Sequence, residues 1–338
     1  MKRLLRSASL SALHLWAAGP ARLRRTNVIL CFHNFGDGTP EERGYLAARR
    51  LLPMDVLKDE LEWLARHAEV VPLSDIDSPS DARLRVALTI DDGYFNNVRL
   101  LFPLLESMSM PSTWFLSTGF IDEPERLPWW DLLDLLTERW RGVLDLRESG
   151  FDFVADLSTP EGRRMVGSTL RAHLKSSSPV TVDDLVSIIR DQASDIEIPP
   201  NSFARPEEVA AVVRSGLVDP GGHTMSHPNL KACEPEFALA EIAGGRKRIE
   251  EMCGVLPSWF AFPFGGPDAI SSAAARLVEE AGFVGSVSTV TGAVDRSSDD
   301  RRLLQRVMIS PRADAETFRT VVRGARMLAT LRRFGDRR

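Results

Sequence analysis

Short apolar runs alternate along the chain with longer segments whose apolar residues recur at helical spacing. Runs rich in β-branched and aromatic residues predict strands, and segments with a 3.6-residue period predict helices between them. The predicted strands span 27–33, 70–73, 85–90, 112–117, 217–221, 259–263, 283–287 and 303–309, and the predicted helices span 54–67, 95–108, 206–215, 234–253 and 268–281. This alternation is typical of a parallel α/β sheet or barrel. In such folds functional residues follow the carboxyl ends of strands.

The alternation stops between residues 121 and 203, where the pattern becomes helical without convincing strands. Predicted helices in this stretch span 129–140, 162–175 and 181–192, with Ser/Pro-rich links at 176–179 and 199–202. We interpret residues 121–203 as a helical insertion into the α/β unit.

Charge is distributed unevenly along the 338 residues. The chain has 42 Lys and Arg against 47 Asp and Glu, which gives a net charge of −5. Residues 1–25 carry six bases and no acid, and residues 319–338 carry seven Arg and one Asp, so each end has a net charge of +6 and the body between them −17. An acidic body argues against nucleic-acid binding by the main domain, whereas either end could meet a membrane surface or an anionic partner.

The two ends differ in the structure they predict. The longest uncharged N-terminal stretch, 7–21, is shorter than the roughly 20 apolar residues of a spanning helix. His14 within it and the arginines after it are atypical of a signal peptide. We therefore favour an amphipathic N-terminal helix over 1–25, in a protein that is cytoplasmic or peripheral to the inner membrane, while the weaker signal-peptide interpretation stays open.

A basic C-terminal helix is predicted over 315–338. Five apolar residues lie there at helical spacing: Phe318, Val321, Val322, Ala325 and Leu328. A helix with this stripe and an arginine-rich opposite side either docks on the main domain or lies on an anionic membrane.

Two adjacent carboxylates end one of the predicted strands. The apolar run 86–90 stops abruptly at Asp91, Asp92 and Gly93. Successive side chains of an extended backbone point in opposite directions, so one acid can bind a metal while the other accepts a proton. Taken alone, Asp-Gly is also a common turn signal.

Two histidines follow a second predicted strand. His223 and His227 are four residues apart, which on one helical turn places both rings within reach of a single ion. Pro228 disfavours a right-handed helical conformation for His227, so a loop at the strand end is favoured over a long helix. Two histidines and one carboxylate leave metal positions open for water and substrate, and a second carboxylate completes the set that a metal-assisted hydrolase uses.

Three segments resemble the motifs of the polysaccharide deacetylases of carbohydrate esterase family 4. These segments are 89–93 (Thr-Ile-Asp-Asp-Gly), 223–228 (His-Thr-Met-Ser-His-Pro) and 262–265 (Phe-Pro-Phe-Gly). The resemblance implies a distorted (β/α) barrel of about seven strands, formed by a catalytic domain over 26–314. It also implies a hydrolase of carbon–nitrogen bonds other than peptide bonds, which removes the N-acetyl group of a sugar in a polysaccharide or its lipid-linked precursor.

The same resemblance implies roles for individual residues. Asp91 becomes the general base, and Asp92, His223 and His227 become ligands of a divalent metal, usually Zn²⁺, with Co²⁺, Ni²⁺ and Mn²⁺ as alternatives. The backbone N–H of Phe264, which follows Pro263, becomes a donor to the oxyanion. A backbone donor does not depend on the aromatic residue present at that position.

Other positions depart from the common pattern of the family. No histidine follows His227, so the acid that protonates the leaving amine must come from elsewhere. His33 resembles an early histidine of the exopolysaccharide deacetylase branch and is our candidate for that acid. Arg306 resembles an arginine of the same branch and is predicted to pair with Asp91, with a purely structural ion pair as the alternative. Trp129 begins a similar Trp-Trp-Asp segment, where it either contacts the sugar or packs the insertion.

Two other functions remain open on these residues. One is hydrolysis of a non-glycan or monosaccharide amide on the same fold, with the insertion shaping a small closed pocket. The other is a catalytically silent glycan-binding scaffold that keeps the metal but releases no acetate. The unligated Asp91 favours an enzyme, because a structural metal site does not need a free carboxylate.

Overall fold

The described part of the chain contains a strand and helix pattern close to the predicted one. The structure is a computed structural model that describes residues 26–36, 51–78, 84–196, 202–295, 301–311, 314, 316–320 and 322. Its strands are β1 Thr26–Phe32, β2 Ala68–Val70, β3 Leu84–Asp92, β4 Ser112–Leu116, β5 Val143–Asp145, β6 Val154–Asp156, β7 Val218–Gly222, β8 Trp259–Ala261, β9 Gly285–Thr291, β10 Val294–Asp295 and β11 Leu304–Met308. Its α-helices are α1 Met54–His67, α2 Phe102–Ser107, α3 Thr118–Asp122, α4 Trp129–Arg139, α5 Pro160–Met165, α6 Arg171–Ser176, α7 Pro179–Gln192, α8 Pro206–Val213, α9 Pro235–Cys253 and α10 Ser272–Glu280.

Seven parallel strands close into a barrel, as the resemblance implied. Around the barrel the order is β1, β3, β4, β7, β8, β9 and β11, and β11 pairs with β1 to complete the circle. Two short strands extend this sheet: β2 pairs with β3 in parallel, and β10 pairs with β1 in the antiparallel direction. The carboxyl ends of all seven barrel strands therefore meet at one rim.

The sequence of β3 shows how the barrel separates an inner from an outer core. Val86, Leu88 and Ile90 face outward into an apolar cluster shared with helix α1, whereas Ala87 belongs to the cluster inside the barrel. Full burial of such side chains stabilises the fold by about 1.5–3 kcal/mol each. The two-residue period carries the inward column on to Asp91, which brings a carboxylate to the inside of the rim.

Helix boundaries follow local capping and turn geometry. Helix α1 begins and ends at the residues predicted for helix 54–67. Its buried leucines, Leu57, Leu61 and Leu64, lie on one face. Helix α10 begins later than predicted because the hydroxyl of Ser271 accepts the N–H of Ala274 and caps the helix there. A π-helical turn over 97–101 takes the place of regular α-helix in the first part of the predicted helix 95–108.

The insertion has its own apolar core but is not purely helical. A two-stranded antiparallel hairpin of β5 and β6 lies within it, so the expectation of a stretch without strands was wrong. Each strand has three residues and buries only its central side chain, Leu144 or Ala155. Strands this short produce too little alternation to be distinguished from a loop in the sequence.

The described part of the C-terminal segment docks on the barrel domain. Phe318 and Val322 are buried in the apolar cluster that contains Leu57 and Leu61 of α1. The other residues of the predicted stripe, and all of the predicted N-terminal helix over 1–25, lie outside the described residues. Among the residues that the structure describes, no helix combines the length and apolar composition needed to cross a bilayer.

Candidate active site

The predicted site residues converge on the carboxyl-terminal rim of the barrel. Asp91 and Asp92 end β3, and the other predicted residues follow or end neighbouring strands. His33 follows β1, His223 and His227 follow β7, Pro263 and Phe264 follow β8, and Arg306 lies in β11. Residues from distant parts of the chain therefore share one end of the barrel, as parallel α/β folds favour.

Arg306 holds Asp91 in a bidentate pair inside the barrel. Its two terminal nitrogens lie 2.7 Å from the two carboxylate oxygens of Asp91, and Arg306 is fully buried. The remaining donors of the guanidinium bind the carbonyl of Ser288 at 2.9 Å and the hydroxyl of Thr89 at 3.0 Å. These four hydrogen bonds, two of them in a planar bidentate pair, fix the orientation of the Asp91 carboxylate.

The pair also determines the charge of the inner site. Burial raises the pKa of Asp91, but the charge and hydrogen bonds of Arg306 outweigh burial and hold this pKa well below its usual range. Cys31 donates a hydrogen bond to the same carboxylate, and its Sγ atom lies 3.5 Å from Oδ2 of Asp91. Burial raises the pKa of the Cys31 thiol well above its ordinary value, so Cys31 is a neutral hydrogen-bond donor here.

Asp92, His223 and His227 form a compact, buried triad. One carboxylate oxygen of Asp92 lies 3.4 Å from Nε2 of His223 and 3.5 Å from Nε2 of His227. The ligand atoms of the three residues all lie within 4.8 Å of one another. Nδ1 of His223 is held at 2.7 Å by the carbonyl of Ala261, which directs Nε2 toward Asp92.

These three side chains fit a divalent cation. Oδ1 of Asp92 is buried and has no hydrogen-bond partner in the protein, although it lies between the two imidazoles. Burial lowers the pKa of His223, but the neighbouring carboxylates of Asp92 and Asp91 raise it above its ordinary value. This corner of the site thus favours a positive charge. Two histidines and one carboxylate are a donor set typical of catalytic zinc sites.

A second group of potential ligands does not fit a cation equally well. Cys31, His33 and Asp91 also have ligand atoms within 4.8 Å of one another. However, both oxygens of Asp91 accept hydrogen bonds from Arg306, whose positive charge opposes a second cation. The triad of Asp92, His223 and His227 is therefore the better candidate of the two for a cation.

The loop that carries His223 and His227 is held in place by helix α9. The two histidines do not lie on a helical turn; a loop brings their ring centroids to 4.8 Å. The carboxylate of Glu241 in α9 accepts the N–H groups of Met225 and Ser226 at 2.9 and 2.8 Å. A β-carbon at Gly245, one turn further along α9, would lie 2.9 Å from the carbonyl oxygen of Thr224. Glycine therefore allows the helix to approach the loop closely.

Backbone strain is concentrated in the same segments. Asp92, Thr224, His227 and Phe264 have positive φ angles of 78°, 65°, 57° and 61°. Non-glycine residues adopt this region rarely and at a cost of about 1–3 kcal/mol each. For Asp92 the left-handed conformation ends the alternation of β3 and directs its side chain to the histidines. The strain is thus part of how the triad is assembled.

Aromatic side chains from the insertion form one wall of the site cavity, whose volume is about 340 Å³. The ring of Trp130 lies 4.5 Å from the ring of His227, and the rings of Trp129 and Phe264 lie 6.0 Å apart. The indole N–H of Trp130 donates to the hydroxyl of Tyr94, which in turn donates to Asp131. Trp129 therefore both lines the cavity and packs against its neighbours.

His33 and Phe264 both line this cavity. Nε2 of His33 is 4.0 Å from Oδ2 of Asp91, and about a third of the His33 side chain is exposed. Phe264 is held by its carbonyl, which accepts the hydroxyl of Thr289 at 2.9 Å. Within the described part of the chain, the N–H of Phe264 donates to no protein acceptor. That donor is thus available to a ligand.

Sequence analysis gave no individual site role to Cys31, Trp130 or Glu241, although it named the Trp-Trp-Asp segment that contains Trp130. Cys31 is adjacent to His33 in the inward column of β1, and Trp130 is adjacent to Trp129, so both were within reach of the strand and helix patterns. Glu241 had a clearer signal, because a charged residue occupies the buried stripe that Ala238, Ile242 and Gly245 form on α9. Such an acid needs a buried hydrogen-bond donor.

Part of the chain is similar to a known protein family. The sequence profile of the family described as "Polysaccharide deacetylase" matches residues 165–285, a span that includes His223, His227 and Phe264. The region 165–285 of the chain is therefore similar to a polysaccharide deacetylase domain. The match and the barrel fold together support a hydrolase that acts on amide carbon–nitrogen bonds.

Solved structures similar to this chain establish the fold of this chain. A de-N-acetylase from Aggregatibacter actinomycetemcomitans is 14% identical, with a TM-score of 0.58 over 88% of this chain and 99% of that chain. Streptococcus pyogenes deacetylase PplD, in complex with acetate, is 13% identical, with a TM-score of 0.57 over 88% and 98%. IcaB from Ammonifex degensii is 16% identical, with a TM-score of 0.56 over 89% and 97%. No sequence among the curated proteins matches the chain significantly.

Proposed function

We propose that this protein is a metal-dependent deacetylase that removes the N-acetyl group of a sugar in a polysaccharide or its lipid-linked precursor. The observation that carries the proposal is the placement of two differently held carboxylates in one cavity. Asp91 is bound by Arg306 and is free of the metal triad, whereas Asp92 lies between His223 and His227. A metal-assisted hydrolase needs both a ligand and a separate proton acceptor.

Asp92, His223 and His227 would hold the metal, for which Zn²⁺ is the proposed ion and Co²⁺, Ni²⁺ and Mn²⁺ are alternatives. When bound, such an ion acidifies water and polarises the amide carbonyl. The support within the chain is the unpartnered Oδ1 of Asp92 and the convergence of both Nε2 atoms upon it. A neutral imidazole and an ionised carboxylate are the protonation states that bind such ions.

Other residues act on the substrate directly. Asp91 takes the proton of the attacking water, and Arg306 keeps its carboxylate in one orientation throughout. The N–H of Phe264 donates to the oxygen of the tetrahedral species, where one such donor contributes about 10²–10³ in rate in other hydrolases. His33 lies next to Asp91 and is the proposed acid for the leaving amine.

The substrate class is supported by the aromatic wall and the structural neighbours. Trp129, Trp130 and Phe264 present ring faces and edges that suit the apolar side of a sugar and the methyl of an acetyl group. Several proteins of the same fold are deacetylases by name, including a deacetylase domain of BpsB from Bordetella bronchiseptica. The net negative charge of the body between the two ends argues against nucleic acid as the substrate.

Acetate release tests the proposed function. The purified chain would be offered N-acetylated oligosaccharides and lipid-linked N-acetyl sugars, with and without a chelator. Release that stops with chelator and returns with added Zn²⁺ supports the proposal. A full complement of metal with no release from any of these substrates would instead support a silent binding protein. Release only from small non-glycan amides would support the other alternative.

Location and membrane contact stay predictions. We propose a cytoplasmic position or one peripheral to the inner membrane, with contact through the basic residues of 1–25 or 319–338. Co-sedimentation with anionic liposomes, compared between the full chain and one lacking 1–25, tests the N-terminal contribution. Equal binding of the two would remove that segment from the proposal.

A further inference from the structure

The two histidines of the triad are oriented by different means. A hydrogen bond of 2.7 Å joins Nδ1 of His223 to the carbonyl of Ala261. Nδ1 of His227 is also buried, but none of the described residues forms a hydrogen bond with it. Histidines that bind metals almost always donate this second ring N–H to an acceptor, which fixes the orientation of the ring. Within the described protein, the ring of His227 is therefore oriented by packing rather than by a hydrogen bond.

Aromatic rings supply this packing. Besides the other ligand, His223, the ring of His227 contacts Trp130 at 4.5 Å and Phe264 at 4.7 Å, with interplanar angles of 53° and 81°. Both separations lie in the range of favourable aromatic pairs. His227 lines the catalytic cavity and a second, adjoining cavity of about 460 Å³, so its neighbours do not enclose it on every side. The contacts with Trp130 and Phe264 therefore restrain the rotation of its ring.

Trp130 is itself fixed by hydrogen bonds within the insertion and to the barrel. Its indole N–H donates to the hydroxyl of Tyr94 at 2.9 Å, and that hydroxyl donates to Asp131 at 2.7 Å. The guanidinium of Arg171 donates to the backbone carbonyl of Trp130 at 3.1 Å. Both the side chain and the backbone of Trp130 are thus held, so its ring presents a defined surface to His227.

Tyr94 connects this tryptophan to the strand that carries the two aspartates. It is buried, it lies two residues after Asp92 at the end of β3, and its ring stacks on Phe203 with 4.5 Å between centroids. Contacts therefore run from β3 through Tyr94 and Trp130 to His227. Trp130, in the first turn of α4, is the member that the insertion supplies.

We propose that Trp130 is a positioning residue that orients His227 for metal binding, so that the insertion completes the metal site. The inference rests on the proposed metal-dependent function and adds a determinant of metal affinity beyond the three ligands. Trp130 acts through His227, and Tyr94 acts through Trp130.

Metal affinity of the full chain tests this role in the absence of substrate. Competition with a zinc-binding dye gives the Kd for Zn²⁺ of the unaltered chain and of Trp130→Leu, which removes the aromatic ring. Because residues that orient a ligand typically contribute 10–100-fold to metal affinity, Trp130→Leu should bind Zn²⁺ about tenfold or more weakly. Trp130→Phe keeps a ring at this position and should lose less. Equal affinities of the unaltered chain and Trp130→Leu would overturn the proposal.

Trp140→Leu is the matched control for damage to the insertion. Trp140 directly follows α4, is 8% exposed, and donates its indole N–H to Asp195 at 2.9 Å, yet it lines neither cavity. Its replacement should lower the Tm and leave the affinity for Zn²⁺ unchanged. An equal loss of affinity in Trp140→Leu and Trp130→Leu would show that the stability of the insertion matters rather than the contact with His227.

Cobalt spectra report the geometry of the ligands directly. The visible absorption of bound Co²⁺ depends on the number and arrangement of its ligands, and these are what a misoriented His227 changes. At saturating Co²⁺, Trp130→Leu should shift the bands or alter their intensity, whereas Trp140→Leu should reproduce the spectrum of the unaltered chain. An unchanged spectrum of Trp130→Leu would contradict a positioning role.

A double-mutant cycle tests the place of Tyr94. Tyr94→Phe removes only the hydroxyl that binds the indole of Trp130, and it should weaken Zn²⁺ binding in the unaltered background. In the Trp130→Leu background the same change should have no further effect, because Tyr94 then has no indole to hold. Additive losses would contradict the proposed order of contacts.

Metal binding without turnover separates this inference from the proposed function. Tight Zn²⁺ binding that Trp130→Leu does not weaken overturns the inference alone, whether or not the chain releases acetate. Absence of Zn²⁺ and Co²⁺ binding by the unaltered chain overturns the metal site on which both proposals rest.

Discussion

The guanidinium of Arg306 and the carboxylate of Asp91 meet through two hydrogen bonds of 2.7 Å inside the barrel, 215 positions apart in sequence. The pair is fully desolvated, and Arg306 also lies over the ring of Phe115, with 5.5 Å to its centroid. Removing either charge would leave the other buried without a partner, which costs about 3–5 kcal/mol. Conservative changes are therefore the informative ones.

Arg306→Lys should reduce turnover while the metal stays bound. Lysine keeps the positive charge but has no planar fork, so Asp91 loses its fixed orientation. We expect kcat to fall about 10–100-fold, measured by acetate release together with metal content. Arg301→Lys is the control, because Arg301 forms a similar pair with Asp77 away from the site. An equal effect of both changes would show that the pair acts only through stability.

Asp91→Asn should separate proton transfer from metal binding. The amide keeps the size of the carboxylate but cannot accept a proton, so we expect a loss of at least about 10²-fold in kcat with full metal content. His223→Ala removes a ligand and should lose both metal and activity. Elemental analysis of the two purified variants gives the comparison. Substantial turnover by Asp91→Asn would remove Asp91 from the role of base.

Glu241→Gln should lower the affinity for the metal, although Glu241 is not one of the proposed ligands. The buried carboxylate binds two N–H groups and the hydroxyl of Ser226, and these contacts hold the loop between the histidines. Support of this kind typically contributes 10–100-fold to metal affinity. A competition titration with a zinc-binding dye measures the change. Glu250→Gln, on an exposed part of the same helix, should have no effect.

Metal removal should lower thermal stability as well as activity. A ligand that binds only the folded chain stabilises it by about 2.7 kcal/mol at a concentration 100 times its Kd. The Tm should therefore fall on chelation and return with Zn²⁺ in the unaltered chain. The His223→Ala variant should show no such shift. A metal-dependent Tm in that variant would point to binding elsewhere.

Glu60→Gln should change the pH dependence of stability. Burial raises the pKa of Glu60 from 4.5 to about 7, although Arg319 lowers it. Because the folded pKa lies above the unfolded one, the unfolded chain releases this proton first, and stability falls between about pH 4.5 and 7. The variant should match the unaltered chain near pH 4.5 and exceed it by about 1–2 kcal/mol above pH 7. Denaturant unfolding at several pH values, with Glu62→Gln as control, measures this difference.

Local patterns in the sequence predicted most of the strands and the residues of the metal triad. The apolar run 86–90 predicted a buried strand, and its abrupt end at Asp91 and Asp92 pointed to the candidate site. These signals are local, because alternation and motif spacing depend on a few consecutive residues. The hairpin of β5 and β6 was missed for the same reason, since three residues carry too little pattern.

The sequence by itself determined the alternating strand and helix order, the acidic body and the pairing of two aspartates with two histidines. Only the tertiary structure decided that Arg306 binds both oxygens of Asp91, that Glu241 supports the histidine loop, and that a second cavity adjoins the site. These relationships join residues far apart in the chain, and they arise only when β11 pairs with β1 to close the barrel and the insertion packs over its rim.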